Sequence, residues 1–154
     1  MKSYLILSAV GPDRPGLVDE VSAALAKRDL NIESSRMAVL GGEFAIILLA
    51  SGEADEVGKL IADSSGVGAG LQVFARKASP PGSRNLPASL PYRLVGSSMD
   101  HPGIVHEVSA VLHKFSVNIE ALDTTTVPAP VCGAPVFTMR ALLAVPGAVK
   151  IKTL

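Results

Sequence analysis

Asp13-Arg14-Pro15-Gly16-Leu17-Val18, running on to Asn31-Ile32-Glu33, recurs as Asp100-His101-Pro102-Gly103-Ile104-Val105, running on to Asn118-Ile119-Glu120. The offset is 87 residues, and residues 13–33 match residues 100–120 at 13 of 21 positions without a gap. Two unrelated amphipathic helices do not agree to that extent, so the chain is a duplication. A period of this size is too long for a solenoid repeat and suits a complete small domain. Two domains follow, residues 1–78 and 92–154, with residues 79–91 between them. A domain of roughly 75 residues buries only about 60% of the surface its unfolded chain exposes. Each copy therefore gains from packing against another domain, and a homodimer formed through sheets or helices is expected.

Composition narrows the class. The chain is 48% hydrophobic and 18% charged, with a formal net charge of zero, as globular proteins are. Residues 1–80 carry 8 basic and 10 acidic groups and the remainder 6 and 4, so neither half has the excess that phosphate binding requires. There is no helix-turn-helix pattern and no basic stripe, which argues against direct contact with nucleic acid. The N-terminal run Tyr4-Leu5-Ile6-Leu7 reads as a first strand, since only Lys2 precedes it and no small-residue cleavage site follows. No apolar stretch approaches membrane-spanning length, so no membrane partner is expected, and a lone cysteine forms no intrachain disulfide. The cytoplasm is the expected compartment.

Periodicity places the elements. Tyr4 to Val10 is an apolar strand stopped by Gly11-Pro12. Leu17, Val18, Val21, Ala24 and Leu25 fall at helical spacing, with Asp13 before the first turn and Pro15 at an early helical position, and this helix ends near Asp29. Strands Asn31–Leu40 and Glu43–Ser51 flank a Gly41-Gly42 hairpin turn. A helix from about Glu53 to Ser65 and a strand Leu71–Ala75 complete the unit. The order βαββαβ is the ferredoxin-like plan of the α+β class. Residues 79–91, with four prolines, read as an extended spacer. The second copy repeats a strand (Tyr92–Gly96), a helix and a strand (Val117–Val127), replaces the glycine turn by Pro128–Pro135, and continues with a strand Val136–Val145. Seven residues then remain after Gly147, too few for a normal helix and a closing strand. The preferred expectation is a second domain that stops where its final helix would begin, leaving one sheet face partly uncovered.

The repeated loop has its own chemistry. A helix start offers unpaired N–H groups and partial positive charge, which attract a carboxylate. Gly16 and Gly103 lack a Cβ and permit close approach. Asp13 and Asp100 are placed to cap the helix or to accept from an ammonium group, and Asn31 and Asn118 supply both donor and acceptor at the next strand. An α-amino acid, with carboxylate and ammonium on one carbon, matches these groups. The plainer reading is an N-cap, a turn glycine and a turn asparagine with no ligand. Arg14 faces a counterpart His101, so the two loops are electrostatically unequal. His106 and His113 share a helix face, but no third ligand at a known spacing joins them, and Cys132 lacks an adjacent base. No metal, no cofactor and no catalytic group is expected, because nucleophile–base pairs and phosphate loops are absent.

The strand followed by Asp-x-Pro-Gly-aliphatic-Val opening a helix, then Asn-Ile opening the next strand, resembles the ACT domain, a small-molecule regulatory module of amino-acid metabolism. Two such units joined by a proline-rich linker are similar to the stand-alone tandem ACT proteins related to the glycine cleavage system transcriptional repressor. Gly11-Pro12-Asp13-Arg14-Pro15-Gly16 and Asn31-Ile32-Glu33-Ser34-Ser35-Arg36-Met37 carry most of this likeness. The resemblance implies a non-enzymatic regulator that binds a small amino acid and transmits occupancy to a partner protein. It implies a ligand lying between the loop of one domain and the second strand of a neighbouring one. Its candidate residues are Asp13, Arg14, Pro15, Gly16, Leu17, Val18, Asn31 and Ile32, and their counterparts Asp100, His101, Pro102, Gly103, Ile104, Val105, Asn118 and Ile119. The alternative is a constitutive dimerisation module without ligand.

Overall fold

A computed structural model describes residues 1–83, 88–130 and 132–153. The middle of the expected spacer, Val131 of the long hairpin loop and Leu154 lie outside the described residues. The chain forms two compact units, Met1–Arg84 and Asn85–Leu154. The first runs β1 (Lys2–Pro12), α1 (Leu17–Ala26), β2 (Asn31–Leu40), β3 (Glu43–Glu53), α2 (Ala54–Ala62) and β4 (Gln72–Ala78). The second runs β5 (Ser89–Met99), α3 (Ile104–Lys114), β6 (Asn118–Pro128) and β7 (Pro135–Pro146), then a 3-10 turn, Ile151–Thr153. These are two ferredoxin-like units in tandem, the second without a counterpart of α2 or β4 among the described residues.

In the first unit the sheet order is β2-β3-β1-β4. Alternation decides which face is covered: Leu5, Leu7 and Ala9 of β1 and Phe44, Ile46, Leu48 and Ala50 of β3 are all buried. They meet Leu17, Val21, Ala24 and Leu25 of α1 and Val57 and Leu60 of α2. Both helices lie on that face. In the second unit the order is β5-β7-β6, and its core joins Ala141, Leu143 and Val145 of β7 to Leu112 and Val117. β5 occupies the place of β1 and, among the described residues, has no strand beyond it.

Element ends differ from the periodicity at several points. β1 extends to Pro12 because β3 pairs with it as far as Pro12↔Glu43. β5 begins at Ser89, within the stretch read as spacer, where Ser89, Leu90 and Pro91 pair with Pro146, Val145 and Ala144. Pro15 is not inside the helix: Gly16, with φ +94°, stands between it and the first helical residue, Leu17. α2 is shorter than its apolar pattern, closing at Ala62 with Asp63 extended. Among the described residues no helix is long and apolar enough to cross a membrane.

α1 stops before Asp29 because Asp29 itself turns left-handed, with φ +51°. The N–H of Leu30 then donates to Leu25 O at 3.1 Å and that of Asp29 to Ala26 O at 3.0 Å, the paired bonds of a Schellman motif. Leu25 and Leu30 are both buried, which supplies the motif's apolar contact. The second copy repeats the motif with Ser116 at φ +55°, Val117 donating to Leu112 O and Ser116 to His113 O. A left-handed residue with a Cβ is strained where glycine is not. Asp29→Gly should therefore raise the unfolding free energy by roughly 0.5–1 kcal/mol. Urea denaturation checks this, and an unchanged or lower midpoint at constant slope would contradict it.

Candidate functional site

The β1–α1 loop is shaped by backbone constraints at both its ends. The Asp13 N–H donates to Gly42 O at 2.9 Å, tying the loop to the β2–β3 turn, and Gly16 caps the helix in the left-handed region with ψ −7°. The counterpart loop has the same frame: the Asp100 N–H donates to Pro135 O at 3.0 Å, and Gly103 has φ +103°. Neither aspartate caps its helix, since no side-chain capping bond is present at α1 or α3. The first intrahelical bonds are Glu20 N–H to Gly16 O and Glu107 N–H to Gly103 O. The amides of Leu17, Val18 and Asp19, and of Ile104, Val105 and His106, thus precede the bonded part of each helix. Open space surrounds Gly16 where a Cβ would stand. Asp13, Arg14, Pro15 and Val18 are exposed and Leu17 is buried in the core; in the second loop Asp100, His101, Pro102 and Val105 are exposed and Ile104 half-buried.

Asn31 and Asn118 do not meet these loops within their own units. β1 and β2 run parallel on either side of β3, and Pro12 pairs with Glu43 whereas Asn31 pairs with Ser51. The eight residue steps from Glu43 to Ser51 span roughly 27 Å at about 3.4 Å per residue. The loop and the asparagine therefore lie at opposite ends of one sheet. The same holds for Met99↔Val136 and Asn118↔Ala144 in the second unit. Any ligand touching both groups is shared between two units. β2 is suited to such sharing: it is an edge strand exposed along all ten residues, with Ile32, Met37, Val39 and Leu40 open to solvent. Ile119, unlike Ile32, packs against the core of its unit.

Two polar networks around the motif escape a reading by spacing. Arg14 forms a two-pronged ion pair with Glu20, Nη1 to Oε1 and Nη2 to Oε2 at 2.8 Å, and also donates to Ala69 O at 3.1 Å. The Ala69 N–H donates back to Glu20 at 3.3 Å. The Glu20 carboxyl is held below its ordinary value by Arg14, and the Arg14 guanidinium is shifted up by Glu20. Arg14 is thus a clamp between the β1–α1 loop and the α2–β4 connection. His101 makes no such clamp; its Nδ1 lies 3.1 Å from Pro102 O. The recurrence of Glu20 as Glu107 was the available signal, but Ala69 contributes only backbone and leaves none.

The second network surrounds a β-bulge. Pairing shifts between Ile32 and Ser34, so Glu33 has no cross-strand partner, and the same shift recurs between Ile119 and Ala121 at Glu120. Glu33 accepts from Ser51 Oγ at 2.5 Å and from Lys2 Nζ at 3.0 Å. Ser51 is a buried polar residue, and Ala144 takes its place in the second unit. Among the described residues no three His, Cys, Asp or Glu side chains gather as a metal site, and Cys132 is exposed.

Residues 3–73 match the model of the ACT domain. The first unit is an ACT domain. The chain is 30% identical over 129 residues to the glycine cleavage system transcriptional repressor of Escherichia coli, an alignment covering 82% of this chain and 66% of the repressor. The match thus spans about two thirds of that relative's length. A crystal structure of an unknown protein from Galdieria sulphuraria is 40% identical, with a TM-score of 0.82 over 95% of this chain and 84% of that one. Another, provisionally assigned as a glycine cleavage system transcriptional repressor, is 21% identical with a TM-score of 0.69 over 99% of this chain and 86% of that chain; it has the same fold.

Ser51 first, and Lys2 after it, hold the Glu33 carboxyl below its ordinary value of 4.5. A carboxyl whose folded-state value is lowered stabilises the ACT unit above its unfolded value, and that contribution is lost as pH falls through the folded one. Ser51→Ala removes the leading cause and reproduces the Ala144 environment of the second unit. The acid-induced loss of stability, followed by thermal melts from neutral pH to below the ordinary glutamate value, should be smaller in Ser51→Ala than in the parent. Superimposable profiles would remove Glu33 from the acid response.

Proposed function

We propose that the protein is a non-enzymatic regulator that binds a small amino acid between the β1–α1 loop of one ACT unit and the β2 or β6 strand of a neighbouring one. The carrying observation is the separation of Asp13–Val18 from Asn31 by the length of a sheet, combined with the exposed edge of β2. A carboxylate fits the free amides at the helix start, and an ammonium fits Asp13 or the Asn31 side-chain carbonyl. Occupancy would then favour the arrangement in which two units are apposed, by its differential affinity for that arrangement. A change in apposition is what a partner protein would read. By likeness to the Escherichia coli repressor, the regulated process belongs to glycine or wider amino-acid metabolism. Assembly as a homodimer through the sheet edge is part of this proposal.

The exposed apolar edge of β2 also favours a second reading, a constitutive dimerisation module with no ligand. Thermal melts with each of the twenty amino acids separate the two. A ligand that binds only the folded form adds about 2.7 kcal/mol at a hundredfold excess over Kd. We expect one or a few small amino acids to raise Tm by roughly 5–10 °C under that excess. Asp13→Ala and Asn31→Ala should each reduce the shift, and both positions are exposed, so the fold is retained. No shift with any amino acid at millimolar concentration leaves the dimerisation module standing; a full shift in both variants removes this site. Mixing the two variants tests where the neighbour resides, because a dimer of one copy of each contains one intact composite site if the neighbour is another chain.

A further inference from the structure

The second sheet carries a charged patch in the middle of the face turned away from α3. Alternation along β7 buries Phe137, Met139, Ala141, Leu143 and Val145, so Arg140 and Leu142 stand on the opposite face. Pairing places Val95 and Asp123 on either side of Arg140, and Arg93 and Ala121 on either side of Leu142. These six residues line a concavity of about 320 Å³. That this face is open is a property of the fold. In the first unit, where α2 and β4 are both present, the same pairing rows hold Ile6, Ser8, Ser34, Arg36, Ile47 and Leu49. Ile47 is 50% exposed there, because both helices pack on the other face. What differs between the units is the chemistry: Ile6 and Ile47 become Arg93 and Arg140, and Arg36 becomes Asp123.

We propose that Arg93, Arg140 and Asp123 form a binding site for a small zwitterion with two acidic groups and one ammonium, the charge pattern of an acidic amino acid. Arg93 and Arg140 are diagonal neighbours on adjacent strands, with Cβ atoms on the order of 7–8 Å apart, and each offers a planar fork that matches a carboxylate. Asp123 stands directly across from Arg140 as the acceptor for an ammonium. The plainer use of that pair is a cross-strand salt bridge. Among the described residues, however, every ion pair lies in the first unit, and Arg93, Arg140 and Asp123 form neither an ion pair nor a side-chain hydrogen bond. Two positive charges and one negative therefore face water on one patch, and a ligand with the reverse pattern complements them. A simple dianion fits less well, since Asp123 repels it and gains nothing in return. Val95, Leu142 and Ala121 supply apolar surface between the charges for the ligand's carbon chain. The site is separate from the loop at Asp100–Gly103: Arg140 pairs with Val95, four residues before Met99, which is roughly 14 Å away at about 3.4 Å per residue. It does not depend on amino-acid binding at that loop.

Titration of the full chain with L-glutamate or L-aspartate, followed by heteronuclear NMR, should shift the amides of Arg93, Asp123 and Arg140 saturably. Arg93→Gln and Arg140→Gln, both at exposed positions, should each weaken binding about tenfold or more, the loss of one charge-assisted pair, with an unchanged circular dichroism spectrum. Arg140→Lys keeps the charge without the fork and should fall between Arg140→Gln and the parent. L-glutamine and glutarate each lack one of the three ligand charges and should bind more weakly than L-glutamate, and Asp123→Asn should narrow the gap between glutarate and L-glutamate. Absence of saturable shifts in β5, β6 and β7 with either acidic amino acid at millimolar concentration overturns the proposal. Binding indifferent to both glutamine variants does the same, as does glutarate binding the parent as tightly as L-glutamate. Shifts confined to Asp13–Val18 or Asp100–Val105 assign the ligand to the loops and also overturn it.

Discussion

The packing of α1 across β1 and β3 governs both the fold and the candidate site. Leu17, Val21, Ala24 and Leu25 bind the helix to the sheet along its whole length, so the chain that leaves β1 at one end of the sheet must enter β2 at the other. That crossover pulls the two halves of the repeated motif apart. Loop amides and Asp13 lie at one end, and Asn31 lies at the opposite one. Under the proposed function, a single unit would hold half of each of two composite sites. The geometry of the crossover keeps the loop and the asparagine of one unit from meeting each other.

Much of this was legible in the residues. The 87-residue repeat established two units, the apolar runs of β1 and β3 marked them as strands, and the helical spacing of Leu17, Val21, Ala24 and Leu25 picked out the buried face of α1. What escaped was chemistry carried by backbone or by a single unusual angle. Asp29 and Ser116 close their helices in a conformation normally signalled by glycine, so residue type gave no sign of how the helices stop. Asp13 and Asp100 have the residue type of an N-cap, but a left-handed glycine intervenes and their own N–H groups are engaged by a neighbouring turn. Arg14 has the type of a ligand-binding residue, yet Glu20 and the Ala69 carbonyl occupy its guanidinium. A pattern ranks residue types; it does not report which partner, 55 residues away, has already claimed them.

Duplication preserved the frame more faithfully than the surroundings. Left-handed glycines before the helices, Schellman closures after them and bulges at Glu33 and Glu120 all recur at the same offset. The second copy changes what stands around them: Ala144 for Ser51, His101 for Arg14 and Ser98 for Gly11. Two of these positions, Arg14 and Gly11, contact the α2–β4 connection in the first unit. Among the described residues of the second unit, neither His101 nor Ser98 has such a connection to contact.

The Arg14–Glu20–Ala69 clamp has a consequence for dose and response. A loop held before its ligand arrives loses little freedom on binding, whereas one without a clamp must be ordered at that moment. If both loops take the same amino acid, the first fills at lower concentration than the second. A tandem protein with two such thresholds grades its output over a wider span of ligand concentration than one with two equal sites.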